Sequence, residues 1–203
     1  MKLFDVDPVS VELKSNEWHT QKKYVDAARL VLGGQIDLDP ASCPEANLTV
    51  RANRYCTKEQ DGLRQPWCGR VWLNPPFSRD NVARGMESGD KPRSILQAWV
   101  DKLIDEYRSG NVPAAVMLVK ADSKQVWFQP LLDYTICLAR DRVYFNRPGQ
   151  EPEKMMFGTA FVYLGPDVSK FVAVFRKFGR VLQAIDEPVE EPTLWSHVDG
   201  LAS

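Results

Sequence analysis

A run of six apolar residues, Ala114 to Val119, follows a helical pattern at residues 94–108, and this pair constrains the fold most strongly. Apolar side chains in the helical pattern recur at spacings of three and four, and Gly110 ends it. The apolar run carries no polar side chain, which is typical of a strand buried on both faces in a parallel sheet. A helix followed by such a strand predicts an α/β fold with a mixed, mostly parallel sheet flanked by helices.

Weaker patterns predict further elements of the same kind. Helices are predicted at residues 21–32 and 123–132, and strands at residues 35–39, 70–74, 134–139, 155–164 and 171–176. The last strands follow one another without helical patterns between them, so we expect antiparallel pairing at that edge of the sheet. Residues 43–66 are rich in turn residues, and the segment between Asp39 and Asp61 leaves little room for a full helix and a second strand.

The chain has 203 residues, which predicts one domain. We expect that domain at residues 17–185, between an N-terminal arm at 1–16 and an acidic tail at 186–203. No apolar stretch approaches the roughly 20 residues that a membrane span needs, and acidic residues interrupt the first seven positions. We therefore expect a cytoplasmic protein with no membrane partner.

The balance of charges excludes one way of holding nucleic acid. The net charge is −1, so any binding of nucleic acid must depend on a local basic patch and not on the charge of the whole protein. Only two histidines are present, and the four cysteines are separated by 13, 12 and 69 positions. These spacings do not resemble a zinc site, so we expect no metal.

The segment Asn74-Pro75-Pro76-Phe77 comes directly after a predicted strand, where open α/β sheets bind ligands. An exocyclic amine on a planar ring is a weak nucleophile because its lone pair is delocalised into the ring. The carboxamide oxygen of Asn74 and the carbonyl of Pro75 can accept its two N–H bonds and free that lone pair. The prolines fix φ, and Phe77 can stack on the ring, which is worth roughly 1–3 kcal/mol. The alternative interpretation is a strand ended by a proline turn.

Three weaker motifs accompany this segment. They are Trp18-His19-Thr20, the stretch from Ile36 to Ser42, and Asp61-Gly62-Leu63. Each also has a structural interpretation: Thr20 is a good helix N-cap, and the other two contain ordinary turn residues. An acid at the end of the first strand can instead contact a cofactor, and the motif before the first helix can cover one.

In their order and spacing, the four motifs resemble those of DNA adenine methyltransferases that use S-adenosylmethionine, especially the short Dam-type enzymes of phages and prophages. The resemblance runs from Glu17 to about Phe175 and implies a Rossmann-like methyltransferase fold. It also implies transfer of a methyl group from S-adenosylmethionine to the exocyclic amine of adenine in double-stranded DNA.

The resemblance also implies roles for individual residues. Thr20 would contact the methionine part of the cofactor, and Asp61 would hold its adenine amine. Asp39, followed by Pro40, would take the position of the acid after the first strand, with Asp37 as a less certain neighbour. The residues that would hold the target adenine are Asn74, Pro75, Pro76 and Phe77.

The order of the motifs resembles the arrangement in which target recognition comes late in the chain, near residues 140–154. That segment contains three arginines, Arg140, Arg142 and Arg147. The residues expected to contact DNA are Arg79, Arg142, Asn146 and Arg147.

One departure from the family pattern concerns the cofactor site. Larger methyltransferases carry a glycine-rich loop after the first strand, whereas the segment from Asp39 to Pro44 has no glycine. The acid that binds the ribose is therefore not assigned, and Glu45 and Asn47 are only candidates. Two alternative functions stay open: methylation of RNA bases or protein glutamine, and a non-catalytic nucleic-acid-binding module.

Overall fold

The structure is a computed structural model that describes residues 19–77, 94–146, 153–154 and 157–184. These residues form ten strands, four α-helices and one 3-10 helix. The strands are β1 (His19–Thr20), β2 (Leu38–Asp39), β3 (Arg54–Tyr55), β4 (Val71–Leu73), β5 (Ala115–Lys120), β6 (Thr135–Ala139), β7 (Tyr144–Asn146), β8 (Glu153–Lys154), β9 (Thr159–Leu164) and β10 (Gly179–Leu182). The helices are α1 (Lys22–Val31), α2 (Pro44–Val50), α3 (Ile95–Arg108), the 3-10 helix (Val126–Asp133) and α4 (Val168–Phe175).

Seven strands form the main sheet, in the order β10-β6-β9-β5-β4-β2-β3. Strands β5, β4, β2 and β3 pair in parallel, whereas β9 pairs antiparallel with β5 and β6, and β10 antiparallel with β6. The α/β class and the antiparallel edge are confirmed. The expectation of a mostly parallel sheet is not, because half of the neighbouring pairs, including the longest, are antiparallel. Strand β9 runs back between β5 and β6, which gives it two antiparallel neighbours.

The parallel half of the sheet contains a point where the strand order reverses. From β2 the chain first adds β3 on one side and then β4 on the other. Strands β2, β3, β4, β5 and β6 all run in the same direction, so their carboxyl ends meet at one border of the sheet, which we call the carboxyl edge. In open α/β sheets, ligands bind outside this edge at such a reversal. The strand order therefore predicts a ligand site at the carboxyl ends of β2 and β4.

Helices cover both faces of the sheet. Helices α1, α2 and α4 contribute to one apolar core, and α3 and the 3-10 helix contribute to the other. Strand β4 supplies Trp72 to the first core and Val71 and Leu73 to the second, as the alternation of side chains along a strand requires. Both faces of β4 are thus buried, and the residues that follow it are held by a rigid element.

One predicted strand, at residues 171–176, is wrong, because this segment belongs to α4. Its β-branched and aromatic residues favour a strand. However, the side chain of Asp167 accepts a hydrogen bond from the backbone N–H of Lys170 and begins a helix. Phe171 and Phe175 then lie four residues apart on one helix face and are fully buried.

The segment before Asp61 also holds more structure than its length suggests. Helix α2 has seven residues and β3 has two, so both fit. Cys43 begins α2, where its Sγ accepts a hydrogen bond from the N–H of Ala46. Arg51 ends the helix in the left-handed region at φ 51°, which turns the chain directly into β3.

A second, smaller sheet joins distant parts of the chain. Its order is β1-β7-β8, with both pairings antiparallel, and His19 and Thr20 lie opposite Asn146 and Phe145. The predicted arm at 1–16 and tail at 186–203 lie outside the described residues. Among the residues that the structure describes, no helix has the length and apolar character needed to cross a membrane.

Candidate active site

The segment that follows β4 reaches the protein surface at the carboxyl edge. Pro75 is buried and anchors the turn, Asn74 and Phe77 are partly buried, and Pro76 is exposed. Phe77 packs against both apolar cores. The turn is therefore fixed on its inner side and accessible on its outer side, as a site for a planar ring requires.

Thr20 and Asn74 are in direct contact, although 54 positions separate them. The Nδ2 of Asn74 donates a hydrogen bond to the Oγ1 of Thr20 at 3.2 Å. Thr20 is 7% exposed and does not cap α1, because Gln21 occupies the N-cap position and its side chain makes no capping bond. The structure thus joins the motif before α1 to the motif after β4.

Asp39 ends β2 and is a buried acid. Its side chain is 2% exposed, and its Oδ1 accepts a hydrogen bond from the N–H of Ala41 at 3.3 Å. Burial raises the pKa of Asp39 to about 7, against the lowering effects of the Ser42 hydroxyl and the Ala41 amide. A carboxyl group that is costly to ionise and lies at a ligand-binding edge is typical of a functional site.

The motif at Asp61 packs directly against the turn that follows Asp39. A side chain on Gly62 would place its Cβ 1.9 Å from the carbonyl oxygen of Pro40, so only glycine fits there. Asp61 itself adopts φ 53°, and its partly exposed carboxylate lies 3.2 Å from the Nε of Arg64. The Asp-Gly pair is therefore more than a surface turn, because it locks two predicted cofactor segments together.

Asp37 directly precedes β2 and is bound by Arg70. The Nε and Nη2 of Arg70 donate to the two carboxylate oxygens of Asp37 at 2.7 and 3.1 Å, and the backbone N–H of Arg70 donates at 2.8 Å. The hydrogen bonds from Arg70 hold the pKa of Asp37 below its usual value despite partial burial. The paired hydrogen bonds between Arg70 and Asp37 join the starts of β2 and β4. A contact of Asp37 with the cofactor stays a prediction.

The two candidates for the ribose differ in their surroundings. The Oδ1 of Asn47 accepts a hydrogen bond from the N–H of Ala52 at 2.9 Å, so its side chain closes the turn between α2 and β3. Glu45 is exposed in the first turn of α2. Neither position yields an assignment.

Sequence reasoning missed Lys120 at the end of β5. Its Nζ donates a hydrogen bond to the carbonyl of Phe77 at 3.3 Å. The same ammonium lies 5.7 Å from the ring centroid of Phe77 and 4.3 Å from that of Phe157, which is 43% exposed. A lysine that closes an apolar strand next to the strand of the Asn-Pro-Pro-Phe segment is the pattern that would have identified it.

Gln21 was also missed. Its Oε1 is buried, and within the described residues it has no hydrogen-bond partner. Gln21 directly follows Thr20, so this buried acceptor lies beside the contact with Asn74.

The residues expected to contact DNA fall on or near the smaller sheet. Arg142 is exposed between β6 and β7, and Asn146 ends β7 opposite His19. Arg79 and Arg147 lie outside the described residues. Among the described residues, no cluster of three or more histidine, cysteine or acidic side chains is arranged to hold a metal ion.

Comparison with known proteins identifies the family. The family model for DNA N-6-adenine-methyltransferase (Dam) matches residues 10–156, which is more than two thirds of the chain. No curated protein matches the chain. The matched region contains β1 to β8, and with them the buried acid of β2 and the Asn-Pro-Pro-Phe segment. The chain belongs to the DNA N-6-adenine-methyltransferase (Dam) family and is a DNA adenine methyltransferase.

Proposed function

We propose that the methyl donor is S-adenosylmethionine and that it binds at the carboxyl edge between β2 and β4, beside Asn74. The observation that carries this proposal is the hydrogen bond between Thr20 and Asn74, because it joins the predicted donor site to the predicted adenine site. When bound, S-adenosylmethionine supplies a methyl carbon made electrophilic by a positive sulfur.

Three features of the chain fit such a donor. Asp39 offers a carboxylate in a buried position, where the amino and hydroxyl groups of a nucleoside can satisfy it. Gln21 offers a buried carbonyl oxygen that can accept from an amino group. Gly62 packs on Pro40 so closely that the two segments form one continuous wall. Because all three belong to or adjoin the motifs of the resemblance, we assign Thr20, Asp39, Pro40 and Asp61 to the donor site.

We also propose that the parallel half of the sheet is a Rossmann-like nucleotide-binding unit. The reversal of strand order between β2 and β4 supports this, since it creates the crevice that such folds use for ligands. A glycine-rich loop is absent after β2 in the sequence, and the turn at Pro40 takes its place against Gly62.

In the proposed mechanism, Asn74 and Pro75 hold the exocyclic amine of the target adenine. Thr20 accepts from the Nδ2 of Asn74, so the carboxamide oxygen points away from Thr20 and towards the position of the amine. The oxygen of Asn74 and the carbonyl of Pro75 accept the two N–H bonds and localise the lone pair on nitrogen. Catalysis is then mainly positioning and electrostatics, and we assign no general base because the nitrogen becomes acidic once it is alkylated.

The adenine of double-stranded DNA must leave the helix to reach this site, at a cost of a few kcal/mol. Stacking on Phe77 offsets part of that cost. Lys120 fixes Phe77 through its carbonyl and lies near the face of its ring, so the stacking surface is held before the base arrives. Pro76 is exposed on the same turn and borders the entry of the base.

Contacts with the DNA outside the flipped base are assigned to the late segment of the chain and to Arg79, close after Phe77. Arg142 and Asn146 adjoin the hairpin β7-β8, and Arg79 and Arg147 complete the proposed set. Phosphate contacts of this kind make binding weaken steeply with salt. RNA bases and protein glutamine are the alternative substrates, and the family match favours DNA over both.

Replacement of Asn74 by Ala tests the assignment. We expect methylation of plasmid DNA to fall by at least about 100-fold, as when a preorganised polar group is removed from an active site. Affinity for S-adenosylmethionine, measured by calorimetry, should change little. Asn111→Ala is the matched control, because this exposed residue precedes β5, at the end of the sheet opposite the carboxyl edge.

The readout is long-read sequencing of plasmid from cells that lack adenine methylation, with parallel assays on RNA and protein. Normal methylation by the Asn74 variant would contradict the role of its carboxamide. Loss of donor binding together with methylation would instead show that Asn74 supports the donor site.

A further inference from the structure

A basic groove lies at the far end of the carboxyl edge, outside the site described above. It has a volume of about 590 Å³ and is formed by β6, α4 and β10. Three arginines line it, namely Arg140, Arg176 and Arg180, and all three are exposed. The remaining lining is apolar or glycine, so the charge of the groove is that of the three guanidinium groups.

Within the part of the chain that the structure describes, no ion pair neutralises the positive charge of this groove. None of the three arginines forms an ion pair with another described residue. Residues 171–182 include three basic side chains, Arg176, Lys177 and Arg180, and no acidic one. The acid nearest to Arg140 in sequence is Asp141, which is exposed. Holding three like charges around one groove is unfavourable, and an anion removes that repulsion.

The groove faces the same border of the sheet as Asn74. Arg140 directly follows the end of β6, and Arg180 lies opposite Leu138 in the pairing of β10 with β6. From β4, three strand spacings lead to β6 and four lead to β10. At about 4.8 Å for each spacing, these distances are about 14 and 19 Å.

We propose that this groove binds backbone phosphates of the duplex on one side of the target adenine. The proposal rests on the proposed function, which places the target base at Asn74. A rise of about 3.4 Å for each base pair converts about 14–19 Å into about four to six base pairs. One guanidinium group can donate two parallel hydrogen bonds to the oxygens of one phosphate. Three arginines are therefore enough to bind two or three neighbouring phosphates.

The groove is built into the fold rather than added as a loop. Gly179 approaches β6 so closely that a Cβ would lie 1.8 Å from the carbonyl oxygen of Leu138. This contact brings the start of β10 against the end of β6 and sets Arg180 beside Arg140. The backbone positions that carry Arg140 and Arg180 are therefore fixed before DNA binds.

The test replaces all three arginines by Gln and measures affinity for duplex DNA by fluorescence anisotropy across a range of salt. Each phosphate contact contributes about 0.9 to the slope of log affinity against log salt, so the slope should fall by about 0.9 to 2.7. At about 0.1 M salt, the affinity should weaken by about 8-fold for one lost contact and about 500-fold for three. The matched control removes the same charge at the opposite edge of the sheet, by Arg51→Gln, Arg108→Gln and Lys170→Gln.

Two duplexes of about 24 base pairs show on which side of the target adenine the affinity for DNA is lost. Each carries the methylation site mapped on plasmid, with the target adenine about three base pairs from one end or from the other. Because the groove extends to one side only, the arginine variant should weaken binding of one duplex and leave the other unchanged.

Equal loss with the control triple, or equal loss on both duplexes, would overturn the proposal, as would an unchanged salt slope. If the wild-type protein methylates DNA and the arginine variant binds DNA as tightly as wild type, the phosphate-binding role of the groove is refuted and the proposed function is not. Wild-type protein that methylates only RNA or protein refutes the proposed function first. Thermal unfolding and donor affinity, which the substitutions should not alter, verify that the variants fold.

Discussion

Asp39 makes opposite contributions to stability and to ligand binding, and its replacement by Asn should separate them. The pKa of this acid rises from 3.8 to about 7 on folding because the side chain is buried. The folded protein thus binds the proton more tightly than the unfolded chain does. The favourable contribution is complete below pH 3.8 and is lost as the pH rises through about 7.

The size of the effect follows from the same shift. Each pKa unit corresponds to about 1.4 kcal/mol, so ionisation of Asp39 costs roughly 4 kcal/mol of folding free energy above pH 7. Between pH 5 and pH 8, wild-type protein should lose about 3 kcal/mol that Asp39→Asn does not lose.

The assay is urea unfolding of wild type and Asp39→Asn at intervals from about pH 5 to pH 8. We expect the stability of the variant relative to wild type to rise steadily with pH. The affinity of the variant for S-adenosylmethionine should be lower than that of wild type. Asp105→Asn, an exposed change on α3, is the control and should leave both quantities unaltered. Parallel pH profiles for wild type and the Asp39 variant would refute the reasoning, since the carboxyl would then ionise without cost.

Two further substitutions test other parts of the site. Gly62→Ala should lower the free energy of unfolding by roughly 1–3 kcal/mol and weaken donor binding, because its Cβ collides with the Pro40 carbonyl; calorimetry measures both. Lys120→Met should raise the KM for DNA or lower kcat and leave donor affinity unchanged, because Phe77 loses its anchor. Steady-state kinetics on an adenine duplex report turnover, and the fluorescence of a separate duplex with 2-aminopurine at the target position reports base flipping.

The controls for these two changes lie close by. Gly158→Ala adds a methyl group at ordinary contact distance from Ala121 and should be neutral. Lys124→Met removes an exposed charge and should leave base flipping unchanged. A neutral Gly62 variant, or a Lys120 variant with wild-type kinetics, would contradict the contacts described for these residues.

The sequence predicts the elements that carry the chemistry better than the contacts between them. The predicted strand at 70–74 and the helix at 94–108 are confirmed as β4 and α3, because short apolar runs and a three-and-four spacing have few other solutions. The prediction of a strand from residue type is wrong at residues 171–176, because a capping acid and a buried helix face outweigh the strand preference of the β-branched residues.

Contacts between distant segments were not predictable from any local pattern. Thr20, which contacts Asn74, lies in β1; this strand pairs with β7, and neither strand has more than three residues. Such short strands leave no periodic pattern. Lys120 reaches Phe77 only because β5 lies beside β4. These contacts depend on strand order, which emerges from the whole chain.

The pairing of β1 with β7 has a consequence for how such an enzyme can change its DNA target. His19 and Thr20 form a ladder with Asn146 and Phe145, and Thr20 in turn contacts Asn74. Insertion of one residue into β7 would shift its register against β1 and disturb Thr20, which accepts the hydrogen bond from the side chain of Asn74. If the late segment recognises the DNA target, as proposed above, a new specificity grafted as a cassette must therefore keep the length of β7.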